Sequence, residues 1–186
     1  MMENTKNKSV WNTVAVGLKL LLICAIIAGI VSFVYALTHD TYLKNQEEQK
    51  AKAIGKIFSM ESPVTDPLSD NVYAVYATDG KTLLGYCVEV VESSGYNGDI
   101  TMMVGFDAER KVSGVEIVSH SETPGLGSKV EGEDYRKQFI GVDKELTYEE
   151  IDGISGATFS SKAVLAGVNK ATSALAEALK TNGGAN

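Results

Sequence analysis

The chain has 186 residues, 17 Lys+Arg against 24 Asp+Glu for a formal net charge of −7, with 44% hydrophobic and 22% charged residues. This globular composition excludes wholesale disorder, collagen and a disulfide scaffold, and the acidic balance argues against nucleic acid as a partner, because that contact needs basic surface to displace counterions. Two cysteines, Cys24 and Cys87, are too few for an iron–sulfur or Cys-type zinc site, and no His, Cys and carboxylate set has metal-ligand spacing, so no metal is expected.

The first element is an apolar span. Residues 20–38 contain no charge, and as a helix these 19 residues reach about 28 Å, close to the roughly 30 Å hydrocarbon core of a bilayer. Lys19 can snorkel toward headgroups, and Trp11 and Tyr35 lie where interfacial aromatics are favoured. A cleaved signal peptide would use Val34 and Ala36 as its small-residue site, but the apolar stretch exceeds the usual h-region. A buried core helix would be apolar all round, with no polar face to show water. The lipid bilayer is therefore the expected surrounding. Lys6, Lys8 and Lys19 stand against Glu3 alone on the N-terminal side. The positive-inside rule keeps that side in the cytoplasm and sends the remainder across the cell membrane in a single pass. The expected division is a cytoplasmic N-terminus and anchor at 1–38, a helical stalk at 39–62, and a domain on the outer face at 63–186.

Residues 42–58 read as a helix continuing from the span, with Ala51, Ile54, Ile57 and Phe58 as an apolar docking face. Pro63 and Pro67 make 62–70 a break. Four strand-like runs follow at 72–78, 82–92, 100–106 and 111–118, separated by short turns, which indicates an antiparallel meander. A loop at 119–132 leads to a short helix at 134–140. A long Ala-rich helix over 160–180 carries a stripe of Val164, Val168, Ala171, Leu175 and Leu179. The tail, 181–186, is expected to fray. The fold class is α+β, an antiparallel sheet packed by helices, on one N-terminal transmembrane helix. Cys87 reads as a small buried strand residue.

Two segments carry the chemistry. DGISGAT at 152–158 runs into Phe159, Ser160 and Ser161, so Ser155, Thr158, Ser160 and Ser161 crowd hydroxyls at a helix N-terminus, and Gly156 and Ala157 allow close backbone approach. Free N–H groups and the positive end of the helix dipole suit a phosphate there. It is not a Walker motif, since Lys162 is wrongly placed, and taken alone the segment reads as a plain Ser/Thr-capped helix after a Gly turn, with the phosphate site as the alternative. HSETPGLG at 120–127 combines a rigid irregular backbone with Glu122 and Thr123; taken alone it reads as a plain surface loop, with a functional loop as the alternative.

Together, HSETPGLG, DGISGAT, the GYNGDITMMVGFD strand region and the single span resemble the membrane-anchored, covalently flavinylated subunits of bacterial ion-pumping redox complexes. These are the G subunit of the Rnf complex, which the length and loop favour, and the C subunit of the Na+-translocating NADH:quinone oxidoreductase. The resemblance implies FMN joined to Thr158 through a phosphoester and attached by a separate flavin transferase. It implies recognition of Asp152 by that transferase, a phosphate site at Ser155, Gly156 and Ala157, and ring contacts at Glu122, Thr123, Leu126 and Gly127. It also implies multispan and iron–sulfur partner subunits and a role in ferredoxin:NAD+ electron transfer coupled to Na+ or H+ movement. A threonine hydroxyl is a weak nucleophile, and no His or Cys base lies near Thr158 in sequence, which agrees with an external enzyme. Electron transfer needs no catalytic base, so no catalytic residue is assigned. The reading from a different class is a non-redox membrane-anchored binding module whose SGAT turn only caps a helix.

The remaining candidates have plainer expectations. His120 reads as a surface-loop residue and His39 as interfacial, Glu145, Glu149, Glu150 and Asp152 as a solvated face, and Tyr96 as a turn tyrosine packed on the sheet.

Overall fold

The computed structural model describes residues 3–181. The first helix, α1, runs without interruption over Glu3–Phe58. The chain divides inside that helix into two compact units, one ending at Glu47 and the other beginning at Glu48.

In the first unit the apolar side chains from Val14 to Leu37 are exposed. The most apolar window has a mean hydropathy of 2.8 with none of it buried, and this is the one helix among the described residues long and apolar enough to cross a membrane. A soluble helix would hide such a surface, whereas lipid satisfies it. The hydroxyl of Thr38 donates to the carbonyl of Val34 at 2.8 Å, so this polar group is satisfied within the helix itself.

The second unit is built on a sheet of β1 (Val64–Ser69), β2 (Val72–Tyr76), β3 (Leu83–Glu92), β4 (Ile100–Asp107) and β5 (Val112–His120), in that spatial order. Every neighbouring pair is antiparallel, so the expected meander is present. The β2–β3 turn is held by Asp79, whose Oδ1 accepts the N–H groups of Lys81 at 2.9 Å and Thr82 at 3.0 Å. Those bonds, Thr82 foremost, hold its carboxyl below the usual range.

The segment at 62–70, expected as a break, supplies the fifth strand. Proline cannot donate to a ladder, but β1 pairs only with β2 and lies at the sheet edge, where a missing donor is tolerated. The register slips between Pro67 and Ser69, as a bulge there requires.

Both faces of the sheet are covered. On one, Val88, Met102, Val104 and Phe106 pack against helix α3 (Thr158–Thr181) through Val164, Val168, Ala171 and Leu175, the expected stripe. On the other, the end of α1 lays Ala53 and Ile54 against Val75, Cys87 and Met103, with Ile57 and Phe58 at the margin. Ala51 stays exposed, so the docking face is rotated from the expected one toward Ala53. Gly105 lets the helix approach, since a Cβ there would sit 2.3 Å from Ile57 Cγ2. Lys50 to Glu89 at 2.6 Å, and Lys56 to Glu116, pin the same helix end at its edges.

After β5 the chain forms a 3₁₀ turn at Gly127–Glu131, helix α2 (Glu133–Arg136) and a second 3₁₀ turn at Lys137–Phe139. The single short helix expected at 134–140 is thus two short pieces with Gly132 before them. Tyr135 and Phe139 turn inward, rings edge to face at 5.7 Å, and complete the α3-side core.

Cys87 is fully buried under α1, and burial pushes its thiol up well beyond the ordinary cysteine range. In a Cys24→Ala protein, Cys87 is expected to resist a maleimide even at pH 9 and to react fully once denatured. Rapid labelling of the folded protein would mean that the helix end lifts from the sheet.

Candidate cofactor site

The two chemistry-bearing segments meet at the start of α3. The peptide N–H of Ala157 donates to the carbonyl of Ile154 at 2.9 Å, closing a turn whose third residue, Gly156, has φ +80°. That left-handed conformation is the type II turn geometry that glycine adopts without strain. Ser161 holds the turn from behind, its Oγ accepting the Ile154 N–H at 3.0 Å. The buried Tyr135 hydroxyl donates to the Ser161 carbonyl at 2.8 Å, and burial raises that phenol out of its ordinary range. Thr158 therefore begins α3 exposed, on a rigid turn, where the first N–H groups of a helix have no intrahelical partner.

The 120–127 loop is wired from within. His120 Nδ1 accepts the Glu122 N–H at 3.0 Å, and its Nε2 meets Glu131 Oε1 at 2.7 Å. With 11% side-chain exposure His120 is a structural post, not the surface residue expected. The N–H groups of Leu126 and Ser128 both donate to the Thr123 carbonyl, at 3.2 and 3.1 Å.

Glu122 joins this loop to α3. It is 4% exposed, and its Oε2 accepts the hydroxyl of Ser160 at 2.6 Å. Its Oε1 accepts the Asn97 N–H at 3.3 Å, and Asn97 Nδ2 donates to Thr123 Oγ1 at 3.1 Å. Glycine makes room for the carboxylate on both sides. A Cβ at Gly127 would lie 2.5 Å from Oε2, and one at Gly95 2.6 Å from Oε1.

These segments enclose a cleft of about 510 Å³ lined by Glu122, Thr123, Leu126, Gly127 and the 156–160 run, with Tyr96 at its rim. That volume is typical of small-molecule sites, roughly 300–1,000 Å³. Of the candidate residues, Thr158, Gly156, Ala157, Ser160, Glu122, Thr123, Leu126 and Gly127 line it, while Ser155, Ser161 and Asp152 do not. Ser161 is a buried brace, Ser155 sits exposed in the turn, and Asp152 is exposed with its N–H on Gln138 Oε1 at 2.8 Å.

Residues 95–173 match the FMN-binding domain family. The G subunit of the Na+-translocating ferredoxin:NAD+ oxidoreductase complex of Acetobacterium woodii is 36% identical over 140 residues, which cover 66% of this chain and 63% of that protein. The chain thus spans a little under two thirds of that relative's length. The G subunit of the proton-translocating ferredoxin:NAD+ oxidoreductase complex of Clostridium ljungdahlii is 29% identical over 175 residues, 89% of this chain and 93% of that protein. Among solved structures, the C subunit of the Na+-translocating NADH-quinone reductase of Parabacteroides distasonis has a TM-score of 0.48 at 21% identity, over 58% of this chain and 61% of that one.

Two further residues of the cleft carry aromatic rings. Tyr96, expected to pack on the sheet, is 68% exposed, and Phe159 is 65% exposed. Their ring centroids lie 6.2 Å apart at the mouth of the cleft. Phe159 falls off the buried stripe of α3, so an aromatic on the polar side of an amphipathic helix was the available signal.

Proposed function

We propose that this chain is the electron-carrying G-type subunit of a membrane ferredoxin:NAD+ oxidoreductase complex of the Rnf kind, coupled to Na+ or H+ movement, with FMN covalently held through a phosphoester on Thr158. The observation that carries the reading is the position of Thr158: exposed, first in α3, and lining the cleft of an FMN-binding domain. The two relatives, both G subunits, supply the kind of complex.

The lining fits each part of the cofactor. The N-terminus of α3 favours a phosphate, by about 0.3–1 kcal/mol per charge interaction. Leu126, Phe159 and Tyr96 offer exposed apolar and aromatic surface to a planar ring. Bound FMN supplies the redox chemistry; the protein contributes position, an electrostatic environment and partial exclusion of water. Covalent attachment also prevents loss of the cofactor on the outer face, where the positive-inside rule directs the second unit. Attachment itself belongs to a flavin transferase, with Asp152, Ser155, Gly156 and Ala157 as the segment it reads. Ion movement and iron–sulfur relays belong to multispan and iron–sulfur partner subunits, because this chain carries one apolar span among its described residues and two cysteines, one of them buried.

The test is the intact mass of the full chain, co-expressed with a flavin transferase and measured in denaturant. A gain of one FMN phosphoester that denaturation does not remove is expected. An unmodified chain, beside a positive control that the same transferase labels, would return the SGAT turn to a simple helix cap and the chain to a binding module.

A further inference from the structure

Glu122 is the one charged side chain among the buried residues described. Burying a carboxylate is costly unless a cation or several donors compensate it. No Lys, Arg or His forms an ion pair with it among the described residues. Its two contacts are a neutral hydroxyl, Ser160 Oγ at 2.6 Å, and a peptide N–H, Asn97 at 3.3 Å. The one imidazole nearby, His120, bonds the Glu122 N–H through Nδ1 and directs Nε2 to Glu131, away from the carboxylate. A strut could have been neutral: a glutamine would bridge the same segments without a buried charge. The charge therefore has a use other than holding the loop to α3.

Resting on the function proposed above, we propose that the Glu122 carboxylate tunes the cofactor site, holding the reduction potential of the flavin low, with the Ser160 hydroxyl moderating it. The physical cause is direct. Reduction adds negative charge to whatever occupies the cleft, and Glu122 lines that cleft. A fixed anion in a poorly screened site raises the energy of the reduced form. The hydroxyl hydrogen of Ser160 points at Oε2 and offsets part of that field. Glu122 is thus a positioning and tuning residue that acts on the cofactor through space.

The two substitutions have opposite signs. Glu122→Gln removes the charge in nearly the same volume, so the midpoint potential rises. Ser160→Ala keeps the charge and removes its donor, so the potential falls. A purely structural loosening of the cleft has no reason to drive the two in opposite directions.

The experiment uses the full flavinylated chain in detergent, with covalent flavin confirmed by mass, and spectroelectrochemical titration of wild type and both variants. An upward shift for Glu122→Gln together with a downward shift for Ser160→Ala is expected. Unmoved potentials, or shifts of the same sign, with the flavin mass intact, overturn the tuning role while leaving the proposed function standing. Absence of flavin from the wild type overturns both. Should Glu122→Gln fail to fold, Ser160→Ala decides: only a downward shift is consistent with the proposal.

Discussion

Thr158→Ala is expected to abolish covalent flavin, leaving a colourless chain at its unmodified mass, whereas Ser160→Ala and Ser161→Ala keep the mass gain. The selectivity follows from where the hydroxyls are. Sequence places four of them at the helix start: Ser155, Thr158, Ser160 and Ser161. Ser160 is 1% exposed with its hydroxyl committed to Glu122, and Ser161 is 0% exposed with its oxygen on the Ile154 N–H. A transferase needs an accessible acceptor oxygen, which leaves Thr158 and Ser155, and of these only Thr158 lines the cleft. Thr158→Ser, which preserves the hydroxyl, separates chemistry from position. If it carries flavin, the acceptor is defined by geometry; if it does not, the transferase also reads the threonine methyl. A Thr158→Ala chain that still gains one FMN would move the attachment to Ser155 and remove the central residue of the proposed function.

Phe139→Ala is expected to cost about 3–5 kcal/mol of folding stability, the range for truncating a fully buried aromatic. Phe139 is 0% exposed, meets Tyr135 edge to face at 5.7 Å, and belongs to the core cluster shared by the sheet and α3. The loss combines apolar transfer with a cavity that a rigid sheet cannot fill by relaxing. Against a typical total of about 5–15 kcal/mol it removes a large share. Thermal unfolding of the full chain, followed by near-UV circular dichroism, is expected to move down by on the order of 10 °C. Phe139→Leu refills most of the volume and costs less. A loss under about 1 kcal/mol for the alanine variant would mean that the 133–139 segment opens without unfolding the sheet.

The elements legible in the sequence were those with a periodic or punctuated pattern. The apolar span, strands β2 to β5 and α3 declare themselves through runs and repeats that any chain must bury or place in lipid. The fifth strand did not, because an edge strand with an exposed pattern and Pro67 has no apolar alternation to read. The rotation of the α1 face toward Ala53 depends on a hollow at Gly105, a feature of the sheet and not of the helix.

The site divides in the same way. The residues of the loop and of the SGAT turn were visible as motifs, since turn chemistry and hydroxyl crowding are local. Their roles were not. Ser160 and Ser161 are adjacent in sequence and equal in chemistry, yet one side chain meets Glu122 across 38 residues and the other braces the turn behind it, because successive positions on a helix point about 100° apart. Glu122 reads as a polar loop residue until Gly95, Gly127 and α3 close around it. Tyr96 and Phe159 become a pair only when the turn preceding β4 is brought to the start of α3. Local composition and spacing determined the long apolar helix, the α+β class and the hydroxyl-rich turn. Burial, pairing and the electrostatics of the cleft were decided by contacts between distant segments, whose energies exist only once the sheet and its two covering helices are assembled.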